Sequence, residues 1–202
     1  AKVSVKRAKE LKRKFIRIAN NFNISLKVVF TDGKEPIGNG IGPVLEMKDV
    51  LKVLQRDNSP KDLEKKAIFL SGVILEMMGK AKKGNGQKLA LDILNSKKAF
   101  YKFKQIIEEQ GGKIIDLKEA KFKKVLNSKS KGKIKSIDNH QINHLCRILG
   151  SPVDKAAGIY LFRHCNELVN KSEPLMTFYS ESKEKLLHAM KIFQENPPIR
   201  LC

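Results

Sequence analysis

Tryptophan is absent from this sequence and aromatic residues make up 6% of it, so stacking platforms for single-stranded nucleic acid are scarce. Cysteine is sparse too. Cys146, Cys165 and Cys202 are odd in number, widely separated and without C-x-x-C spacing, which argues against a disulfide framework or zinc knuckle and for a reducing, cytoplasmic setting. No apolar run approaches the roughly 18 residues that span a bilayer, and the start, Ala1-Lys-Val-Ser-Val-Lys-Arg7, lacks the apolar centre of a signal peptide. No membrane partner is expected. An initiating Met is also lacking, as in a processed chain or a fragment.

What is present is a chain of 202 residues with 41% hydrophobic content, enough core for one large domain or two small ones. Its formal charge of +20 raises nucleic acid as a partner through counterion release. The lysines are spread along the chain, however, and the densest run, Lys121 to Lys135, alternates Phe122, Val125 and Ile134 in a way that suits exposed strands with a turn around Gly132. Specific nucleic-acid binding is not expected. His140 and His144 stand at i, i+4 on a helix, but no Glu follows His140 to complete H-E-x-x-H. A solvated helix face is the expectation there.

Residues 24–54 organise the chain. Leu26, Val28, Val29 and Phe30 read as a short strand, Gly33, Gly38, Gly40 and Gly42 as a glycine-rich loop, and Pro43 as the first turn of a helix. Val44, Leu45, Met47, Val50, Leu51 and Leu54 give that helix an apolar face. Ile37-Gly-Asn-Gly-Ile-Gly42 is neither G-x-G-x-x-G nor a P-loop. A ligand could sit where loop meets helix, or the stretch is only a turn.

Val5 to Phe22 is helical by its spacing, with Ala8, Leu11, Phe15, Ile16, Ile18 and Ala19 on one face. A helix from Ser59, as cap, and Pro60 to Met78 should bury Leu63, Ala67, Ile68, Leu70, Val73, Ile74 and Met77. Shorter helices follow near Gln87 to Leu94 and Lys98 to Glu109. Beyond Gln110-Gly-Gly112 the pattern becomes α+β: a helix at His140 to Leu149, strands at Gly158 to Phe162 and Pro174 to Tyr179, and a helix at Lys183 to Phe193 stopped by Pro197-Pro198. A domain boundary is expected at 111–120.

Several stretches together resemble the type II nucleoside phosphorylases. They are Thr31-Asp32, Pro36-Ile-Gly38, Gly40-Ile-Gly-Pro-Val-Leu-Glu46, Asp62-Leu63, Gln110-Gly-Gly112, Asp154-Lys-Ala-Ala-Gly-Ile159 and Glu173-Pro-Leu175, in the family's order. Gly42-Pro43-Val-Leu-Glu46, Leu149-Gly-Ser-Pro-Val-Asp-Lys155 and Pro197-Pro-Ile-Arg200 are most similar to the AMP phosphorylases. Asn166 and Ser172 depart from glycines of the family's turn, so that hairpin is expected to differ in shape.

The resemblance implies an α/β plus α+β fold: residues 1–112 as the C-terminal part of a central α/β domain, then residues 113–202 as a separate C-terminal α+β domain. It implies phosphorolysis of a nucleotide or nucleoside, with inorganic phosphate as co-substrate and no resident cofactor, in a homo-oligomer. AMP would give adenine and ribose 1,5-bisphosphate; thymidine is the alternative, and a basic interaction module without catalysis is another. The family's phosphate loop and base-holding residues have no counterpart here, so no catalytic or phosphate-binding residue is assigned and the chain alone is expected to be inactive. The glycine loop becomes a wall of the active-site region. A monovalent cation is implied at Ile37, Gly40 and Asp49, where Asp49 replaces the family's longer Glu; the other reading of Asp49 is a solvated helix residue.

Overall fold

The computed structural model of the chain describes residues 3–114 and 117–202. Ile115 and Asp116, inside the expected boundary at 111–120, lie outside the described residues. The chain forms two compact units, one ending at Gly33 and one running from Lys34 to Cys202.

The first unit is dominated by α1 (Val5–Asn21), whose N-cap Ser4 accepts from the Arg7 amide. Only Ala19 of its apolar face is buried; Phe15, Ile16 and Ile18 are exposed. Residues 24–33 form no strand, contrary to the expectation. A strand exists through hydrogen bonds to a neighbour, and β-branched composition alone supplies none.

The second unit begins with β1 (Gly40–Ile41) and α2 (Pro43–Gln55), then α3 (Lys61–Met77), α4 (Gly86–Asn95) and α5 (Lys98–Glu109). Ser59 does not cap α3. Pro60 is the N-cap, and the Ser59 hydroxyl instead donates to the buried Glu64 carboxylate. That bond, with Arg56 at 2.6 Å, holds the Glu64 carboxyl below its ordinary range against the opposing effect of burial. The expected apolar face of α3 is also largely uncovered: Ala67, Leu70, Ile74 and Met77 are exposed. What does pack is a glycine contact. A Cβ on Gly72 would come within 2.6 Å of the Gln87 amide nitrogen, so α3 and α4 approach backbone to backbone.

The remaining elements are β2 (Phe122–Asn127), β3 (Gly132–Ile137), α6 (Asn139–Leu149), β4 (Gly158–Leu161), β5 (Leu168–Val169), β6 (Pro174–Ser180), α7 (Lys183–Glu195) and β7 (Ile199–Leu201). The strands form an antiparallel sheet in the order β1-β4-β6-β2 and a second in the order β5-β3-β7. Mixed helices and antiparallel sheets make this an α+β architecture. Strands β2 and β3 do not pair with each other across the expected turn at Gly132; β2 pairs with β6, and β3 with β5 and β7.

Register explains the core. Ile159 stands opposite Phe178 and Leu161 opposite Met176, so these four share one sheet face. They join Ile142, Leu145 and Leu149 of α6 and Leu186 and Ala189 of α7 in a single cluster. Tyr160 and Thr177, also opposite each other, face the other side, where the Lys52 ammonium of α2 lies 5.6 Å from the Tyr160 ring.

Candidate functional site

The glycine loop, residues 34–42, is held by carboxylates. Its backbone turns sharply and leaves amide donors without strand or helix partners, and acidic side chains accept from them. Gly38 donates to Asp62 Oδ2 at 2.9 Å. Asn39 and Gly40 both donate to Asp49 Oδ2 at 2.7 Å, and Gly42 donates to Glu46 Oε1 at 2.9 Å. Asp49 is therefore no solvated helix residue: it is 1% exposed, on the side of α2 that faces the loop.

A second set of contacts comes from β4 and the chain after it. Leu161 donates its amide to the Asn39 carbonyl at 2.7 Å, and the Asn39 side-chain amide donates to the Tyr160 hydroxyl at 3.1 Å. His164 sits between the Asn39 side-chain oxygen, 3.0 Å from Nε2, and the Glu35 carboxylate, 3.3 Å from Nδ1. Glu35 also accepts from the Cys165 amide at 2.8 Å. The loop is thus fastened at its entry, middle and exit.

The junction with α2 is closed rather than open to a ligand. Gly42 has spent its amide on Glu46, Pro43 has none, and Val44 donates to the Lys155 carbonyl at 3.0 Å. These are the donors an anion at a helix N-terminus would use. Gly42 itself has φ 125°, and a Cβ there would collide with the Ala157 carbonyl oxygen, so only glycine fits beneath that chain. Nearby, the Cys146 thiol is buried, and burial with the Glu46 carboxylate pushes it up to about 12. It is a core group, not a nucleophile.

Of the three residues named for a cation, the structure brings Gly40 and Asp49 together, while Ile37 is 37% exposed and precedes Asn39, the first residue to donate to Asp49, by two. Asp49 Oδ2 is occupied by the two amides, and Oδ1 is buried without a partner. A buried, negatively charged acceptor with nothing donating to it suits a cation. Among the described residues no group of three His, Cys, Asp or Glu is placed to hold a metal, and His140 and His144 are both exposed on α6.

Comparison with known proteins assigns the chain. Residues 133–200 match the pyrimidine nucleoside phosphorylase C-terminal domain. A protein of Legionella pneumophila (strain Corby) named "Putative thymidine phosphorylase" is 38% identical over 190 residues, 94% of this chain and 37% of that protein. The AMP phosphorylase of Methanocaldococcus jannaschii is 39% identical over 202 residues, 98% of this chain and 40% of that protein. The AMP phosphorylase of Methanosarcina mazei is 35% identical over 97% of this chain and 39% of that protein. This chain belongs to the type II nucleoside phosphorylase family. It matches the family's C-terminal portion and spans about two-fifths of the length of these relatives.

Several of the stretches that resemble this phosphorylase family meet at the loop. Asp62, Gly38, the Gly40 to Glu46 run and the Lys155 to Gly158 run all take part in its fastening or close packing. The departures at Asn166 and Ser172 keep the backbone that glycine would adopt, with φ 73° and 69°. Glu35, Asn39, Tyr160 and His164 are the residues that sequence reasoning passed over. No local spacing announces a contact across 125 residues, the separation of Asn39 and His164.

Proposed function

We propose that this chain is the C-terminal portion of a phosphorylase that cleaves the N-glycosidic bond of a nucleotide or nucleoside with inorganic phosphate, with AMP giving adenine and ribose 1,5-bisphosphate. A phosphate oxygen bonds to the anomeric carbon, the carbon–nitrogen bond breaks, and the base leaves with a proton from a general acid. This chain's part is the scaffold: Asp49, Asp62, Glu46 and His164 hold a glycine loop in one conformation as a wall of the site, which excludes water and keeps reacting groups aligned.

The observation that favours AMP is the turn Gly42-Pro43-Val-Leu-Glu46, shared with the AMP phosphorylases it resembles and used here, since Glu46 accepts from the Gly42 amide. Thymidine is the second reading, favoured by the 38% identity to the Legionella protein. A monovalent cation would be held by Asp49 Oδ1 with the carbonyls of Ile37 and Gly40, where its charge would offset the buried carboxylate; the orphaned Oδ1 supports this. The exposed apolar faces of α1 and α3 support association into an oligomer.

The test is to incubate the intact protein that carries this sequence with inorganic phosphate and either AMP or thymidine and to separate the products. Adenine release dependent on phosphate is the expected result. Thymine release alone would select the second reading, and release of neither base would overturn both. The 202-residue chain by itself should release none.

A further inference from the structure

The lysines that look scattered in sequence include one group that the fold gathers. From Lys121 to Lys135 there are seven lysines and no acidic residue. Strand β3 carries Lys133 and Lys135 on either side of Ile134, which is fully buried, so both ammonium groups project from the outer face of the β5-β3-β7 sheet. Strand β7 adds Arg200, exposed and registered opposite Ser136. Lys129 and Lys131 are exposed in the turn that leads into β3. None of these five cations has an ion-pair partner among the described residues. Other lysines do have acidic partners, as Lys48 and Lys123 share Glu119 and Lys185 has Asp154.

Unpaired like charges crowded on one sheet face repel each other, and the folded state carries that cost unless an external anion relieves it. The spacing is suited to a polyanion. Two residues along a strand rise about 6.8 Å, while each strand of a nucleic-acid duplex presents a charge every ~3.4 Å. No aromatic residue lies between Lys123 and Ser136, so base stacking is unavailable. Leu168, registered opposite Lys133, is exposed on this face, but one leucine is not the broad apolar patch that inserts into a lipid surface. We propose that the outer face of β3 and β7, with the turn at 128–131, is a docking surface for the phosphodiester backbone of a nucleic-acid duplex, independent of base sequence and of the phosphorylase reaction.

The probe is a fluorescent 20-base-pair DNA duplex of mixed sequence, with anisotropy measured against salt. Three contacts, from Lys133, Lys135 and Arg200, imply a slope of about −2.7 in log affinity against log salt, or roughly 40-fold weaker binding at 200 mM than at 50 mM. K133E/K135E should weaken binding at 50 mM by more than about 10-fold and flatten the slope by about 1.8. K82E/K83E, which removes equal charge from a different exposed loop, should stay within about twofold. K133Q/K135Q, with a thermal midpoint for each variant, separates lost contacts from lost folding. Equal weakening by both glutamate pairs would reduce the effect to net charge and overturn the proposal. So would undetectable duplex binding at 50 mM, or tighter binding to phosphatidylserine vesicles than to the duplex.

Discussion

Asp49 Oδ2 lies 2.7 Å from the amide nitrogen of Gly40 and equally far from that of Asn39. One buried carboxylate oxygen therefore sets the conformation of two successive residues in a segment with no regular structure of its own. Replacing Asp49 with Ala leaves both amides without an acceptor in a site that water does not reach. The expected cost is about 3 kcal/mol, or a thermal midpoint lower by roughly 6–12 °C. Hydrogen exchange should quicken at Asn39 and Gly40 while the amides of α6 keep their protection; unchanged exchange at the two loop amides would contradict the role given to Asp49.

Gly42→Ala tests the close approach from the other side. The added methyl meets the Ala157 carbonyl and φ is 125°, so the loop and the chain before β4 must separate. A loss of about 2–4 kcal/mol in urea unfolding is expected, against about 1–2 kcal/mol for Gly79→Ala, where φ is 65° but the same methyl meets nothing.

Ser172 and Asn166 point the opposite way. Both hold positive φ, which costs Ser more than Asn, since Asn tolerates the left-handed region. Ser172→Gly should raise stability by about 0.5–1 kcal/mol and Asn166→Gly by less. A chemical denaturation midpoint that falls for Ser172→Gly would show that the hydroxyl matters more than the backbone.

How far the sequence alone reaches is visible in particular elements. Helices α2, α5 and α7 are legible because apolar spacing, a proline at the start of α2 and Ser182 as the cap of α7 all agree. Strand β7 is not, because Pro197-Pro198 reads as an ending while its ladder to β3 is made from far away. The same holds for the loop. Its glycines are plain in the sequence, but a carboxylate at i+9 and a histidine 125 residues on are tertiary facts. Asp49 sits among apolar residues on α2, and only the amides it meets explain its burial.

Acid should destabilise the protein in a definite window. Hydrogen bonding from Ser59 lowers the Glu64 carboxyl from 4.5, and Lys48 does the same for Glu119. A carboxyl depressed in the folded state stabilises above its unfolded value, and that contribution is lost as pH falls through the lower folded value. Unfolding free energy should therefore be level near neutrality and decline below about pH 4.5. Glu64→Gln should shallow the decline; an identical slope would assign acid sensitivity to other groups.

The thiols should differ in reactivity. Cys146 is pushed up to about 12 by burial and Glu46, whereas Cys202 is exposed. At pH 8 a thiol reagent should label Cys202 within minutes and Cys146 only on unfolding, since the thiolate is the reactive form. Prompt labelling of Cys146, read by peptide mass, would mean the core around α6 opens readily.

Strand β1 is two residues long, yet it covers one flank of β4, pairing Gly40 with Tyr160 and Ile41 with Ile159. Anyone excising residues 133–200, the span that matches a named domain, would strip that flank bare and leave β4 with unpaired amides and carbonyls along a buried, apolar strand. Such a truncation offers a ready template for sticking to its own copies. Expression boundaries should therefore be drawn upstream of Lys34, so that the glycine loop travels with the sheet it seals.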